Sequence, residues 1–311
     1  MTDRRALGAY FALTRVSLAP SALLDAWAGL AIGAAGAMPS PLAMASSALA
    51  AYCVFSGGMA LNDCADVAAD REQGRPRPLV RGDLSLSTAT GIGLGLLACG
   101  IGVSFILSPW ASLTWAIVAA LAVAYDFGPR GLWLGPLLLG LCRAGNLFAA
   151  ILVGRAQTDL GLDAGLLLPP LAYGAYVFAV SRLSGFEDGV RPLDGSASPG
   201  RALGLCAAIL ALLPVSGLAL RPAASGAGLA LAFALSFGAA AGIYRFLRAT
   251  TEWTRARVGQ AMGVCLRRLM FASACLAATA GRAEPWPYLV TVLAAVGFWV
   301  SLRLRKRFPP S

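Results

Sequence analysis

The sequence predicts an all-α polytopic membrane protein forming one domain over residues 1–311, and three observations carry that class. Apolar stretches of about 20 residues recur from Leu18 to Leu304, the length a helix needs to cross a hydrocarbon core. Charged residues make up 13% of the chain, where a soluble domain carries roughly a quarter. Mean hydropathy is correspondingly high at +0.71. The apolar runs are continuous and do not alternate, which argues against a β-barrel.

Ten spans are expected, near 17–37, 41–62, 87–107, 110–127, 132–154, 165–185, 201–220, 226–247, 258–281 and 286–304. The first follows Arg4, Arg5 and Arg15 and shows no clear small-residue cleavage site, so it is expected to be a retained helix and not a signal peptide. The second runs directly into a polar segment that begins at Asn62. The third and fourth are joined by a short uncharged loop at 107–110, and the fifth carries Arg143 and Asn146. The sixth leads into a second polar segment that begins at Ser181. The seventh and eighth flank a short loop near 221–225, the ninth carries Arg267 and Arg268, and the tenth ends in RLRKRF. Glycine and alanine are abundant throughout, as expected where membrane helices approach closely.

Arginine placement sets the expected orientation. Arg4, Arg5, the 71–81 cluster, Arg130, the 182–201 and 245–257 segments and the terminal RLRKRF share one side, which the positive-inside rule makes cytoplasmic. The opposite loops near 38–40, 107–110 and 221–225 are short and nearly uncharged; the loop with Arg155, Asp159 and Asp163 departs mildly from the pattern. Both termini then lie inside. If the ninth segment lay on the interface because of Arg267 and Arg268, the C-terminus would move outside. The net charge of +10 is explained by topology, with no nucleic-acid partner. The expected location is a bacterial inner membrane, with the polar loops on the cytoplasmic side.

The chain contains no histidine, which excludes Ser-His-Asp and Cys-His catalysis, histidine zinc sites and histidine haem ligation. Seven scattered cysteines without a CxxC pair are expected to be small packing residues. Any metal must therefore be a hard ion with oxygen ligands.

Two polar clusters offer such ligands. In LNDCADVAADREQGRPRPLVRGDLS (61–85), Asn62, Asp66 and Asp70 recur at i, i+4 and i+8, so a continuous helix projects them from nearly one face. Three acceptors at a membrane boundary are costly unless they hold an ion or face water. Two carboxylates and an amide suit Mg²⁺, and Arg71, Arg75, Arg77 and Arg81 are placed to bind phosphate oxygens that share it. The competing account is a helix end followed by topology arginines. The second cluster, SRLSGFEDGVRPLDG (181–195), carries Glu187, Asp188 and Asp194 with Arg182 and Arg191. It is expected on the same side, either as an ordinary loop or as a second acidic site facing the first. RPLVRGDLS from Arg77 and RPLDGSAS from Arg191 suggest a weak internal duplication with four spans between them. Asp25, Tyr125, Asp126, Arg130, Arg143 and Asn146 lie within or beside spans. Arg143 and Asn146, one turn apart, are placed either to touch a substrate or to form a buried structural pair with Asp25.

The motif ND-x-x-D-x-x-x-D followed by R-P-L and Gly, formed by Asn62, Asp63, Asp66, Asp70, Arg77, Pro78 and Gly82, resembles the first aspartate-rich motif of the UbiA superfamily of intramembrane prenyltransferases. The resemblance covers roughly 10–281. It implies a bundle of nine core transmembrane helices around a central cavity, with 286–304 as an additional C-terminal span. GPLLLGLCRAGNLFAAILVG is most similar to the EboC-type branch. AYDFGPRG stands where the family has a tyrosine followed by a basic residue, so Tyr125 and Arg130 become candidate diphosphate contacts. In the second motif Ser184-x-x-x-Asp188 replaces the family's D-x-x-x-D, and Ser181, Arg182 and Glu187 resemble the SR…E pattern of the EboC-type branch.

The resemblance implies a Mg²⁺-dependent transfer of an isoprenyl group from an isoprenyl diphosphate, entering from the lipid bilayer, to an aromatic or other lipophilic acceptor. Asn62, Asp66, Asp70, Glu187 and Asp188 are the implied metal ligands, with Asp66, Asp70 and Asp188 as the catalytic set. Arg15, Arg71, Arg77, Arg81, Tyr125, Arg130, Arg143, Asn146 and Arg182 are the implied substrate contacts. The alternatives are a membrane terpene cyclase on the same scaffold, or a non-catalytic scaffold or transporter. Against a transporter, the charge clusters sit at one membrane face and not at the midplane.

Overall fold

The computed structural model describes residues 3–187, 189, 191–193, 198–220, 224–282 and 284–307. Among these residues no strand occurs. The helices are α1 (Asp3–Leu13), α2 (Ala19–Gly33), α3 (Pro41–Ala65), α4 (Val67–Glu72), α5 (Leu86–Phe105), α6 (Pro109–Phe127), α7 (Leu134–Arg155), α8 (Leu168–Glu187), α9 (Pro199–Leu212), α10 (Gly226–Arg248), α11 (Arg255–Ala278) and α12 (Trp286–Arg307). Short 3₁₀ segments precede α8 (Ala164–Leu167) and follow α9 (Leu213–Ala219). Among the described residues nine helices are long and apolar enough to cross a membrane. By that length and apolarity the chain is an integral membrane protein.

Helix starts are written into the sequence. Ser40, Ser85, Ser108, Ser198, Ser225 and Thr254 each accept a hydrogen bond from the backbone N–H three residues on, at 3.0–3.3 Å. Pro41, Pro109 and Pro199 follow three of these caps, in the first-turn position where a missing N–H costs nothing. Capping matters more in a bilayer than in water, because the freed donors have few other partners.

The first span departs from the expected 17–37. Its helix, α2, has only 15 residues, and a turn at 14–18 separates it from α1. Arg15 adopts a left-handed backbone (φ 46°) in that turn, and Pro20 occupies the first turn of α2. At the other end Ala35 (φ 53°) and Gly36 (φ 86°) reverse the chain, with the Gly36 N–H bonded to the Ala31 carbonyl at 2.8 Å. A helix so short is kept in place by enclosure: it packs against α3, α7, α11 and α12, and most of its residues are buried.

Small residues let these helices approach. A Cβ at Gly33 would lie 3.0 Å from the Gly154 Cα on α7, and a Cβ at Gly57 on α3 would lie 2.8 Å from the Gly93 carbonyl oxygen on α5. At the centre, Asp25 is fully buried and ties four helices together. Its carboxylate accepts from Arg143 (2.7 Å, α7), the Tyr173 hydroxyl (2.7 Å, α8) and the Ser273 hydroxyl (2.6 Å, α11), and Arg143 also donates to the Ser21 hydroxyl at 3.0 Å. With every carboxylate oxygen engaged, the charge pair is tolerable in an apolar surround.

α11, the ninth expected span, lies inside the bundle against α2, α8, α10 and α12, despite carrying Arg267 and Arg268. α12 is applied to the outside of α2 and α11. Trp286 meets Trp27 edge-on at 6.5 Å, and the Ser301 hydroxyl donates to the Ser17 carbonyl at 2.7 Å.

The α3–α5 contact predicts unequal effects of one methyl group. Gly57→Ala is expected to lower thermal stability in detergent, by about 1–3 kcal/mol of overpacking. Gly95→Ala, with open space around it, is expected to leave the midpoint unchanged or slightly raised.

Candidate functional site

The ends of α3, α6 and α8 and the turn before α2 meet at one face of the bundle, and the first polar cluster lies there. α3 ends at Ala65 and α4 begins at Val67, with Asp66 (ψ −1°) as the joint. The i→i−4 bonds run on through it, Asp66 N–H to Asn62 at 3.0 Å and Asp70 N–H to Asp66 at 2.8 Å. The expected single oxygen face is nevertheless split, because each side chain is drawn to a different partner. The Asn62 amide donates to Asp126 at 2.9 Å, Asp66 pairs with Arg130 at 2.7 Å, and Asp70 pairs with Arg77 at 3.1 Å and Arg75 at 3.4 Å.

Arginines from outside the helix thus neutralise these acids. The loop after α4 folds back so that its arginines reach carboxylates on α3 and α4. Asp63, buried beside Asn62, takes Arg77 at 2.6 Å and Arg15 at 3.0 Å, and Arg15 also reaches the Asn62 oxygen at 3.3 Å. The left-handed backbone at Arg15 ends α1 beside α3, and the side chain spans to it. Asp63 and Asp126 are the residues that sequence reasoning left without a role. Their signals were weak: Asp63 belongs to the aspartate-rich motif, and Asp126 is one of the polar residues beside a span.

Arg130 links the first cluster to the second. It bonds Asp66, donates to the Tyr125 and Asp126 carbonyls at 3.1 and 3.2 Å, and lies over the Tyr125 ring at 4.9 Å. Burial would draw its pKa down; Asp66 beside it more than offsets this and holds the guanidinium above an arginine's ordinary value. Across a cavity of about 270 Å³ from Tyr125 and Arg130 stand Ser181, Arg182 and Ser184 of the second cluster. Arg182 is fixed there by stacking on Trp133 at 3.6 Å and by donating to the Leu132 carbonyl at 2.8 Å.

Other expected contacts lie elsewhere. Arg81 turns away to pair with Asp83 at 2.7 Å and to donate to the Pro76 carbonyl, and Arg71 is exposed on α4. Arg143 belongs to the Asp25 network. Asn146 does not join it, accepting instead from the Trp115 indole at 3.0 Å and donating to the Ala22 carbonyl at 3.3 Å. The expected structural pairing with Asp25 thus holds for Arg143 alone, while Asn146 bridges α6 and α2. Glu187 is not beside Tyr125 and Arg130: it lines a separate cavity of about 690 Å³ along α11, with Gln260 and Arg267. Asp188 and Asp194 lie outside the described residues.

Among the described residues, no three acidic or cysteine side chains converge as a metal cage. The donor set nonetheless fits a hard ion shared with a ligand. Asp66 is partly exposed, Asp63 Oδ2 is buried without a hydrogen-bond partner, and Asp70 Oδ2 is buried with Arg77 as its ion-pair partner at 3.1 Å. Mg²⁺ commonly takes one or two carboxylates and completes its shell with water and phosphate oxygens.

Comparison with known proteins shows the family and the fold. A family model described as the UbiA prenyltransferase family matches residues 22–262. A polyprenyl transferase from Penicillium brasilianum, prhE, is 36% identical over 81 residues; that match spans 25% of this chain and only 26% of the relative. The solved structure of a UbiA homolog from Archaeoglobus fulgidus bound to GPP and Mg²⁺ superposes with a TM-score of 0.64 at 13% identity, over 95% of this chain and 99% of that one. The apo UbiA homolog from Aeropyrum pernix K1 gives 0.62 at 21% identity, over 83% and 96%. At these identities the structural likeness is one of fold, and it does not distinguish branches.

The pairing pattern predicts that neighbouring aspartates differ in weight. Asp63→Ala leaves Arg15 without a carboxylate and Arg77 with Asp70 alone, and is expected to cost about 3 kcal/mol in thermal unfolding. Asp66→Ala frees only the part-exposed Arg130 and is expected to cost about 1 kcal/mol or less.

Proposed function

This chain belongs to the UbiA prenyltransferase family, and from that premise we propose that it transfers an isoprenyl group from an isoprenyl diphosphate to a lipophilic or aromatic acceptor. The observation that carries the proposal is the cavity in which Tyr125 and Arg130 face Ser181, Arg182 and Ser184. It puts two fixed guanidiniums beside a carboxylate-lined helix end, at the mouth of an apolar bundle. The proposed unit is one domain over 1–311, a nine-helix core at 10–281 with the added span at 286–304. Its site loops are proposed to face the cytoplasm of a bacterium, following arginine placement. The SR…E pattern of Ser181, Arg182 and Glu187 supports placing it in the EboC-type branch.

Asp66 and Asp70, with the Asn62 amide oxygen, are the residues proposed to hold Mg²⁺; when bound, the ion neutralises charge on the diphosphate leaving group. Arg130 and Arg182 bind diphosphate oxygens, and Tyr125 supplies a hydroxyl at the same wall. Arg77 and Arg15 act one step behind. Held by Asp63, they fix the direction of α4 and so aim Asp70. As the allylic carbon–oxygen bond breaks, its electron pair leaves with the diphosphate. The acceptor's nucleophile then bonds to the carbon and releases a proton. The surrounding helices exclude the water that would otherwise capture the cation. Asp188 and Glu187 are proposed ligands for a second ion in the wider second motif.

The test supplies purified protein with Mg²⁺ and isoprenyl diphosphates of several lengths, with and without aromatic acceptors, and follows pyrophosphate alongside organic products. Acceptor-dependent pyrophosphate release is expected, falling about 100-fold or more in Asp66→Asn. Undiminished turnover in that variant would refute its metal role. A cyclic hydrocarbon formed without acceptor would replace transfer by cyclisation.

A further inference from the structure

Two helices lead from the polar end of the bundle to one contact deeper inside it. On α3, Phe55 lies seven residues below Asn62. On α7, Arg143 lies seven residues below Pro136, which lines the cavity shared with Tyr125 and Arg130. Seven residues are two helical turns, so each pair shares a face and the descent is about 10 Å on both helices. The two paths meet, because the Arg143 guanidinium lies over the Phe55 ring at 5.2 Å. On α8, Tyr173 lies eleven residues, or three turns, below Ser184 of the same cavity. Its hydroxyl reaches Asp25, the carboxylate that holds Arg143.

The space above that contact is open and apolar. Arg143 keeps 16% of its side chain accessible in the middle of α7, whereas Asp25 behind it keeps none, so the guanidinium borders a void on the side away from Asp25. Phe55 is half-buried, and so is Leu139, which stands on α7 between Pro136 and Arg143 on the same face. Gly58 on α3 and Ala122 on α6 bring only small groups to the wall; a Cβ on Gly58 would stand 3.5 Å from the Ala122 Cβ. The end of the passage differs in kind. Arg143 is fixed by Asp25 at 2.7 Å and by the Ser21 hydroxyl at 3.0 Å, and swinging it aside would strand a fully buried carboxylate. A hydrocarbon tail gains by covering Leu139 and the Phe55 ring, and it gains nothing by pressing on a held charge.

We infer, resting on the reading that this end of the bundle takes an isoprenyl diphosphate, that the Phe55–Arg143 pair is the floor of its tail pocket and limits the donor to a short chain, geranyl diphosphate being the longest that fits extended. Each isoprene unit adds four chain bonds of about 1.5 Å and advances about 5 Å, so two units fill the descent of about 10 Å. A third unit meets the floor and must fold back or leave the bundle sideways. Phe55 is the adjustable half of the pair, since Arg143 is committed to Asp25.

The experiment titrates the full chain, with Mg²⁺, against non-ionising thiolo analogues of dimethylallyl, geranyl, farnesyl and geranylgeranyl diphosphate, and reads binding by displacement of radiolabelled pyrophosphate. In the wild type the geranyl analogue is expected to bind about ten-fold more tightly than the farnesyl one. Phe55→Ala is expected to bring the farnesyl analogue within about two-fold of the geranyl one, with pyrophosphate itself bound as before. Phe55→Trp fills the pocket instead of emptying it and is expected to move the preference to dimethylallyl. Phe105→Ala removes a ring from the exposed side of α5 and is expected to leave the order unchanged. Longer analogues bound as tightly as geranyl in the wild type, or an order that neither Phe55 variant changes, would overturn the floor and leave the isoprenyl diphosphate reading in place. Pyrophosphate bound with no isoprenyl analogue binding more tightly than it would overturn that reading, and the floor with it.

Discussion

The Arg15–Asp63–Arg77 bridge is the interaction on which the polar face depends. Asp63 sits at the end of α3 and is almost wholly enclosed, so leaving it without a cation would be expensive. It draws one arginine from the break before α2 and one from the loop after α4. Those two contacts decide where α1 stops, how the loop returns and which way Asp70 is aimed. An enclosed carboxylate with two guanidiniums is a rigid corner. The residues proposed to meet substrate can then be the more accessible ones, Asp66, Arg130 and Arg182.

The same economy appears deeper in the bundle. Asp25 and Arg143 would each be costly alone in an apolar interior, yet together with Ser21, Tyr173 and Ser273 they form a closed network joining α2, α7, α8 and α11. α2 is too short to qualify as a span on its own, and this network, with the close glycine contacts to α7, explains how it is held.

The second cluster has divided roles. Ser181, Arg182 and Ser184 face the first cluster across the smaller cavity, while Glu187 lines the larger one beside α11. A helix turns 100° per residue, so residues only a few positions apart on α8 serve different cavities. A family motif compared along the sequence alone groups these residues as one site.

Composition and periodicity determined the class and the apolar segments, because span length is imposed by the bilayer whatever the fold. Cap residues set half of the helix starts by local hydrogen bonds. The spacing of Asn62, Asp66 and Asp70 was legible as a helical pattern, and the motif around it as a family resemblance. Only the tertiary structure decided the partners. The break of the first span at Arg15, the pairing of Asp63 with arginines 48 and 14 residues away, the engagement of Arg143 by Asp25 and the separation of Glu187 from Arg182 all depend on which helices lie side by side. Charge pairing acts through space at a few ångströms, and sequence distance carries almost no information about it.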